Sequence, residues 1–402
     1  MTMMALSDLK VLELGEFVSA PWCGRVLASM GAEVIKVEPP GRGDKARRAG
    51  PFPGDVPHPE KSGLFLYLNT DKLGVTLDVT HPSGRRLFLE LVRQVDVVVD
   101  NHLPRELRAW SLDYEQLREV NPRVVFTSIT PFGWNGPWSE YSGNDLVAFH
   151  TGGPGYETPV SYVTDPDNEP PLKGAEYQAD MTTGWTALAA TMIAVRHQWR
   201  FGEGQLLDVS AQEALANMVR PKSALWSYSG DVRDRLKQGA TVAMACKDGY
   251  VALSAGNDSH WQGLVRMLDE PAWTRDERFA TREGRTEHRE ELGKHIAEAV
   301  KGFGKEEIFQ RAQSYHIPCF PYNSVPELLE SPQYQDRGFW VQVEHPLAGT
   351  YTYPGSPYHF SRTPATLRHP APLLGQDNEE VFCQRLGHSR EELRDLFLAG
   401  VV

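Results

Sequence analysis

The segment Lys10–Glu38, which reads KVLELGEFVSAPWCGRVLASMGAEVIKVE, decides the fold class of this chain. The short apolar run Lys10–Leu14 indicates a buried strand, and the apolar spacing of Ala20–Met30 indicates a helix. A second apolar run, Glu33–Glu38, indicates another strand. Two strands joined by one helix predict a parallel βαβ unit.

The same alternation continues beyond this unit, so we expect an α/β fold with an open, Rossmann-like sheet. Between its elements, Pro131–Pro171 is rich in Gly and Pro and is expected to form loops. The further strands predicted by the pattern are Val75–Val79, Val95–Asp100, Val124–Ile129 and Gln205–Val209. The further helices are Pro82–Arg93, Tyr114–Val120, Met181–Gln198 and Ala211–Met218.

The length of 402 residues exceeds what one hydrophobic core usually supports, so we expect two domains. The polar and weakly periodic stretch Trp226–Gln238 marks the start of a smaller α+β domain, residues 226–335. Beyond that domain, the alternating aromatic residues of Phe339–Phe360 predict antiparallel strands.

The charge balance, 41 Lys and Arg against 53 Asp and Glu, leaves a net charge of −12. A chain this acidic is a poor general binder of nucleic acid or of a membrane surface, so an anionic ligand requires a local cluster of basic groups. The four cysteines form no CxxC pair, which argues against a disulfide framework or a metal site. No signal peptide or membrane span is evident, and we expect a cytoplasmic protein.

The first strand-to-helix turn lacks the GxGxxG pattern that lets a backbone approach a dinucleotide, since Phe17 and Trp22 occupy the space between its glycines. The chain also contains no HExxH or GxSxG motif. Dinucleotide, metalloprotease and α/β-hydrolase chemistries are therefore not favoured.

A carboxylate at the start of the long helix is the remaining candidate for chemistry. Asp180 precedes Met181 and the apolar run that follows it. Aspartate is common as a helix N-cap, because its oxygen accepts hydrogen bonds from free backbone amides. Aspartate also serves as a covalent nucleophile, and the pattern alone leaves both interpretations open.

A series of motifs in fixed order covers nearly the whole chain. The series comprises Leu9–Asp44, Leu68–Lys72, VDVVVDN ending at Asn101, Asn121–Pro137, the helix of Asp180 with Arg196 and His197, Cys246–Asp258, Ile317–Gln333 and PLLGQDNEEV near the C-terminus. This series resembles the family III CoA-transferases, the group of formyl-CoA and carnitine CoA-transferases.

The resemblance implies that Asp180 is the nucleophile of a CoA-transferase. In that family the carboxylate attacks an acyl-CoA thioester to give a mixed anhydride and then an aspartyl-CoA thioester, which an acceptor carboxylic acid resolves. The partners implied are an acyl-CoA and a free carboxylic acid. Coenzyme A is then a substrate, and no tightly bound cofactor is expected.

The resemblance also implies a binding site for coenzyme A and a pocket for the acyl group. The implied CoA contacts are Phe17, Val18, Ser19, Leu68, Lys72, Asn101 and His102, with Lys72 as a phosphate partner. The implied substrate pocket contains Asn144, Asp145, Gln238 and Gly239. Trp22, Trp134, Trp138 and Trp185 lie near the motifs and are candidates for lining an apolar acyl pocket.

Several positions depart from the family pattern. Pro39 stands where the family has an arginine, so Arg42, Arg47 or Arg48 is expected to contact phosphate instead. Ala109 replaces a second arginine, and Arg108 is the nearest substitute. The glycine run of the oxalate-using members is reduced here to Gln238, Gly239 and Ala240, which argues against a formate or oxalate substrate.

Two alternatives remain at this point. The α-methylacyl-CoA racemases share the fold, but their GHD motif reads Gly143, Asn144, Asp145 here, so the second proton-transfer base is missing, and His150 is poorly placed to replace it. A non-catalytic CoA-binding protein is the alternative from another class.

The resemblance finally implies the domain layout and the oligomeric state. The large domain is built from both chain ends, residues 1–225 and 336–402, with the small domain inserted between them. Two such chains are expected to form an interlinked homodimer.

Overall fold

A computed structural model of the chain describes residues 4–159, 163, 165, 167–232 and 243–402. The chain folds into two compact units: the larger comprises Met1–Gly155, Lys173–Gly230 and Gln335–Val402, and the smaller comprises Tyr156–Leu172 and Asp231–Tyr334. The segment 156–172 thus lies outside the range predicted for the small domain, because a Pro-rich segment carries no periodicity to mark the unit it joins.

The larger unit is built on a six-stranded sheet in which every neighbouring pair is parallel. The strand order β3-β2-β1-β4-β5-β6 is that of a Rossmann fold, which confirms the predicted open α/β sheet. Its strands are β1 (Lys10–Glu13), β2 (Glu33–Glu38), β3 (Lys72–Thr76), β4 (Val97–Asp100), β5 (Val125–Thr130) and β6 (Gln205–Ser210).

The strands alternate between two apolar layers, one on each face of the sheet. Leu12 and Val98 belong to one buried cluster, whereas Val11 and Val97 belong to the other. Strands buried on both faces appear in sequence as nearly continuous apolar runs, and this is why they were recognisable.

Helices of the larger unit cover both faces of its sheet. Counted over both units, the described residues contain sixteen α-helices. They are α1 (Ser19–Ser29), α2 (Gly63–Leu68), α3 (Pro82–Val92), α4 (Pro104–Trp110), α5 (Tyr114–Val120), α6 (Asp145–Thr151), α7 (Gln178–Phe201), α8 (Ala211–Ala216), α9 (Arg220–Ser229), α10 (Asp258–Met267), α11 (Arg282–Glu287), α12 (Arg289–Val300), α13 (Lys305–Ser314), α14 (Val325–Glu330), α15 (Pro332–Asp336) and α16 (Arg390–Leu398). None of the helices in this part of the chain is long and apolar enough to cross a bilayer.

The long helix α7 packs closely against α1 because Gly184 has no side chain. A Cβ added at Gly184 would lie 2.7 Å from the backbone oxygen of Ser19 and 2.9 Å from the Trp22 ring. This contact brings the start of α7 beside the turn between β1 and α1, and so places Asp180 near that turn.

The smaller unit contains an antiparallel sheet in the order β7 (Ala243–Cys246), β8 (Gly249–Leu253), β9 (Cys319–Pro321). In the larger unit, β10 (Trp340–His345) and β11 (Gly349–Pro354) form the antiparallel pair that the aromatic alternation predicts.

Three predicted elements need correction. Strand β3 begins three residues before the predicted Val75 because Lys72, although charged, is buried and continues the ladder. Helix α9 runs into the stretch that was predicted to be irregular from Trp226 onward. Helix α6 lies in the expected loop region, and its seven residues, about two turns, are too few to show a period.

Candidate active site

A cavity of about 340 Å³ opens at the carboxyl ends of the parallel strands, where the strand order reverses between β1 and β4. Open α/β sheets bind their ligands at this position. The wall of the cavity consists of Glu16–Ser19 after β1, Asn101–Leu103 after β4, Thr130 and Pro131 at β5, Asp180 and Thr183 on α7, and Lys45, Glu106, Ser142, Gly143, Asn144, Ala148, Ile129 and Ala211.

Asp180 is the third residue of α7 and lines this cavity. The helix N-cap is Tyr177, so the interpretation of Asp180 as the cap is wrong. Burial, which is the largest cause, and the charge of Asp145 together raise the pKa of Asp180 to about 7, although Lys173 acts in the opposite direction. The site therefore holds a partly buried carboxylate that is more basic than an ordinary aspartate.

Asp145 contacts Asp180, Lys173 contacts Asp145, and we call these three residues the Asp180 cluster. The backbone N–H of Asp180 donates to Oδ1 of Asp145 at 2.9 Å. The Nζ atom of Lys173 forms an ion pair with Oδ2 of Asp145 at 2.8 Å. Asp145 is 5% exposed, so this pair lies beneath the cavity wall rather than in the cavity.

The first turn is held in an unusual conformation. Phe17 has a φ of 71°, in the left-handed region that a bulky residue rarely adopts. Its N–H donates to Oδ1 of Asp44 at 2.9 Å. Asn101 donates from Nδ2 to the Glu16 oxygen at 2.7 Å and to Oγ of Ser19 at 3.0 Å, and its Oδ1 accepts the Glu16 N–H at 2.8 Å. Asn101 thus shapes the turn that lines the cavity.

Below this turn lies a second group of charges, Glu13, Lys36, Asp44 and Lys72, which we call the buried network. All four side chains are 0% exposed. Lys36 is 2.8 Å from Asp44 and 3.2 Å from Glu13, and Lys72 is 2.8 Å from Glu13. Each ammonium therefore has a carboxylate partner.

The placement of Lys72 does not fit the predicted phosphate contact. Its Nζ is surrounded by Glu13, the Pro21 oxygen and Oδ1 of Asn69, all within 2.9 Å. Burial lowers the pKa of Lys72 to about 8, although Glu13 acts in the opposite direction. With its donors occupied inside the protein, this lysine supports the turn instead of reaching the cavity.

The other predicted CoA contacts are divided between the cavity and its surroundings. Phe17, Val18, Ser19, Asn101 and His102 all line the cavity. The Nδ1 atom of His102 is 2.6 Å from Oδ1 of Asp100; burial alone lowers the pKa of His102, but this carboxylate outweighs burial and the pKa is raised. Leu68 is fully buried in the cluster of Val18, Trp22 and Val26, so it packs behind the wall.

The arginines predicted to hold phosphate occupy three environments. Arg47 is buried between Glu38 and Glu60, and Arg108 pairs with Glu140 on the surface over the ring of Trp134. Arg48 donates to the backbone oxygen of Arg42. Arg42 lines a smaller cavity of about 60 Å³ whose wall includes Pro39, Glu38, Asp78 and Trp110.

The two cavities share Glu16 and His102, and a missed cation, Lys45, lines the larger one. Lys45 is 65% exposed and lies 3.0 Å from Glu16. Its position beside Asp44 of the first motif was the available sequence signal. Lys45 and Arg42 are thus the basic groups that the structure brings to the cavity walls.

The predicted substrate pocket is only partly described. Asn144 lines the cavity and is the N-cap of α6, where its Oδ1 accepts the Val147 N–H at 3.1 Å. Gln238 and Gly239 lie outside the described residues. Trp22 on α1 and Trp185 on α7 pack edge to face at 5.7 Å, and none of Trp22, Trp134, Trp138 and Trp185 is among the residues that line the cavity. In the described part of the chain, no three His, Cys, Asp or Glu side chains are grouped as a metal site.

Comparison with known proteins decides the family. The model for CoA-transferase family III matches residues 6–378. The chain belongs to CoA-transferase family III. The resemblance inferred from the motif series is thereby confirmed, and the chain is a CoA-transferase enzyme rather than a non-catalytic CoA-binding protein.

Relatives of this family III protein are similar over almost their whole length. The succinate–glutarate CoA-transferase of Agrobacterium fabrum is 31% identical over 386 residues, which cover 94% of this chain and 95% of the relative. The human succinyl-CoA:glutarate CoA-transferase is 29% identical, with 99% and 90% covered. A crystal structure of a CAIB/BAIF family protein from Brucella suis superimposes with a TM-score of 0.84 at 27% identity, covering 95% of this chain and 99% of that protein.

The racemase alternative finds no support in these relatives or in the cavity of this family III chain. Asn144 has an amide, which does not exchange a proton near neutral pH. Its oxygen is moreover engaged with the start of α6.

Proposed function

We propose that this enzyme transfers coenzyme A from an acyl-CoA to a free carboxylic acid through covalent intermediates on Asp180. The observation that carries the proposal is the placement of the Asp180 carboxyl group: it lines the cavity at the switch point of the sheet, in a setting that raises its pKa to about 7. Carboxylates that are more basic are better nucleophiles.

The reaction proceeds by four acyl transfers that balance without water. The Asp180 carboxylate attacks the donor thioester and expels CoA thiolate, which gives a mixed anhydride. The thiolate then attacks the aspartyl carbonyl and releases the donor acid, leaving aspartyl-CoA thioester. The acceptor carboxylate attacks this thioester to form a second anhydride and thiolate. The thiolate finally attacks the acceptor carbonyl, which forms the new acyl-CoA and regenerates Asp180.

Holding the thiolate and the anhydride in one cavity favours this sequence, because the second and fourth steps become reactions between neighbours. Burial also serves the anhydride, which water would hydrolyse. The turn of Phe17–Ser19 presents backbone groups to the same cavity, and Asn101 keeps that turn in place.

For coenzyme A itself we propose that the thioester end lies beside Asp180 and the nucleotide end toward the smaller cavity. The shared wall residues Glu16 and His102 make the two cavities neighbours. Lys45 and Arg42 supply positive charge along this path in a chain whose net charge is −12. They replace Lys72, Arg47 and Arg108 as proposed phosphate contacts.

For the acids we propose short dicarboxylic acids and their CoA thioesters as the substrate class. The names of the two relatives include succinate, succinyl-CoA and glutarate. Succinyl-CoA as donor and glutarate as acceptor are therefore the first pair to assay.

We further propose that the enzyme is a homodimer with interlinked chains. Large apolar side chains are exposed on α7 and α9 of the larger unit, an arrangement typical of surfaces that a partner covers. They are Ile193, Trp199, Phe201, Trp226 and Tyr228, with exposures between 45% and 89%. Light scattering should give twice the chain mass of 45.1 kDa, and a monomer would contradict this proposal.

The transfer mechanism is tested by trapping the acyl carrier. The enzyme is incubated with succinyl-CoA and then with hydroxylamine, which converts an anhydride or thioester of Asp180 into a hydroxamate. Peptide mass analysis should find the hydroxamate at Asp180, and none in Asp180→Asn. The control Asp113→Asn changes a helix cap remote from the cavity and should be trapped like wild type. An active enzyme that yields no hydroxamate at Asp180 would contradict the proposal.

A further inference from the structure

The first turn of α7 is tied to α6 by a side chain from outside the helix. A helix begins with backbone N–H groups that have no partner within the helix. Tyr177, the N-cap of α7, offers no side-chain hydrogen bond. Instead, the N–H of Asp180 itself is bound by Asp145, the first residue of α6.

Lys173 provides a second link between α6 and the segment that precedes α7. Its Nζ forms the ion pair with Oδ2 of Asp145 and also donates to the backbone oxygens of Gly174 and Glu176. One ammonium therefore joins α6 to the segment that enters α7. Asp145 is 5% exposed and the Lys173 side chain 21% exposed, so the ion pair is shielded from water.

The charges around Asp180 come from several elements. Asp145 on α6 and Lys173 before α7 act directly on its carboxyl group, in opposite directions. Burial raises the pKa of Tyr177, the N-cap of α7; the charges of Glu176, Asp180 and Asp145 also raise this pKa, and Lys173 lowers it. The other titratable groups of the cavity wall are Glu16, Lys45, His102 and Glu106.

We propose that Asp145 and Lys173 are a positioning pair for Asp180: Asp145 fixes the backbone of the nucleophile, and the opposite charges of the pair set how readily its carboxylate is formed. The proposal rests on the proposed function of Asp180 and adds two residues that act through it. Neither residue touches the reacting atoms.

The pair is tested by separating its hydrogen bond from its charge. Asp145→Asn keeps an oxygen that accepts the Asp180 N–H but removes the negative charge. The acid limb of kcat against pH should then move to lower pH by about one unit, because Asp180 loses a neighbouring like charge. Lys173→Met should move the limb in the opposite direction. A purely structural role would lower activity without moving the limb.

Asp145→Ala removes the acceptor as well as the charge. We expect kcat to fall about 10- to 100-fold with KM for acyl-CoA changed less than about threefold, because the nucleophile is displaced while the CoA contacts remain. Asp145→Asn keeps the acceptor, so at its own optimal pH its kcat should lie much closer to the wild-type value than that of Asp145→Ala. Asp113→Asn serves as the matched control, since it changes a helix cap far from the cavity and should leave the profile at its wild-type position.

A measurement without substrate separates this inference from the proposed function. The pH dependence of carbodiimide labelling of Asp180, read by peptide mass, reports the ionisation of that carboxyl group directly. The midpoint should fall in Asp145→Asn and rise in Lys173→Met, whether or not the enzyme transfers CoA. Equal midpoints in wild type and both variants would overturn the positioning pair, whereas failure of hydroxylamine trapping would overturn only the proposed function.

Discussion

The buried network and the Asp180 cluster are built from the same kinds of residue, yet they differ in charge balance. The buried network has two carboxylates and two ammoniums, and each ammonium lies within 3.2 Å of a carboxylate. The Asp180 cluster has two carboxylates for one ammonium, and that ammonium pairs with Asp145. Asp180 is left without a cationic partner of its own among the described residues.

This difference in charge balance corresponds to two different roles, one structural and one proposed to be catalytic. In the buried network, paired charges hold the turn on which Phe17 adopts its left-handed conformation. In the Asp180 cluster, burial and the like charge of Asp145 raise the pKa of the Asp180 carboxyl group to about 7. The balanced charges therefore support the architecture of the cavity, and the unbalanced cluster contains the carboxyl group that we propose as the nucleophile.

The largest effect is expected from removing the reactive carboxylate. Asp180→Ala should lower kcat by at least about 10³-fold, because the covalent route needs this oxygen nucleophile. Steady-state assays of succinyl-CoA with glutarate measure the effect. If Asp180→Ala retained a tenth of the wild-type kcat, Asp180 would not be the covalent nucleophile.

Breaking the balance of the buried network should act on stability instead. Glu13→Gln leaves the Lys72 ammonium buried without a carboxylate partner, at a cost of about 3–5 kcal/mol in the free energy of unfolding. Urea denaturation measures this loss. The control is Glu115→Gln, which breaks an exposed pair with Arg118 and should cost less than about 0.5 kcal/mol. Equal unfolding midpoints for Glu13→Gln and Glu115→Gln would contradict the structural role assigned to the buried network.

The raised pKa of Asp180 predicts a stability gain when its charge is removed. Between its ordinary value of 3.8 and about 7, the native state keeps a proton that the unfolded chain releases, so the native enzyme loses stability as pH rises through this range. At pH 8 Asp180→Asn should therefore raise the free energy of unfolding by about 1–3 kcal/mol, after allowance for partial exposure. The gain should shrink toward pH 4, and a gain that does not depend on pH would contradict the assigned cause.

The smallest effect is expected at the surface. Arg108 and Glu140 are each nearly half exposed, so Arg108→Gln should change the free energy of unfolding by less than about 1 kcal/mol. It should also leave KM for acyl-CoA within about twofold of wild type, whereas Arg42→Gln should raise KM several-fold. Equal KM values for the two variants would remove Arg42 from the proposed phosphate path.

The sheet could be predicted because its signals are local, and residues of the cavity wall could be predicted because the motifs follow a fixed order along the chain. Runs such as Val97–Asp100 are buried on both faces, so their apolar sequence alone predicts a strand, whichever strands they pair with. Asp180 was identified through an ordered motif series that also places Asn101 and His102, and both line the cavity.

The roles of the buried charges could not be predicted because they depend on distant partners. Lys72 meets Glu13 across 59 positions of sequence, and Asp145 meets the Asp180 amide across 35. No periodicity distinguishes a lysine that pairs inside the sheet from one that faces a phosphate. Lys45 was missed for the same reason, since only the folded turn brings it to the cavity.

The most direct test of the covalent role of Asp180 follows oxygen through one reaction cycle. Glutarate labelled with oxygen-18 in both carboxylates is supplied as acceptor with unlabelled succinyl-CoA. If the acceptor attacks aspartyl-CoA thioester, each turnover leaves one oxygen-18 atom on the Asp180 carboxylate, and the released succinate later carries it away. Peptide mass analysis should find oxygen-18 at Asp180, whereas an unlabelled Asp180 after many turnovers would contradict the account.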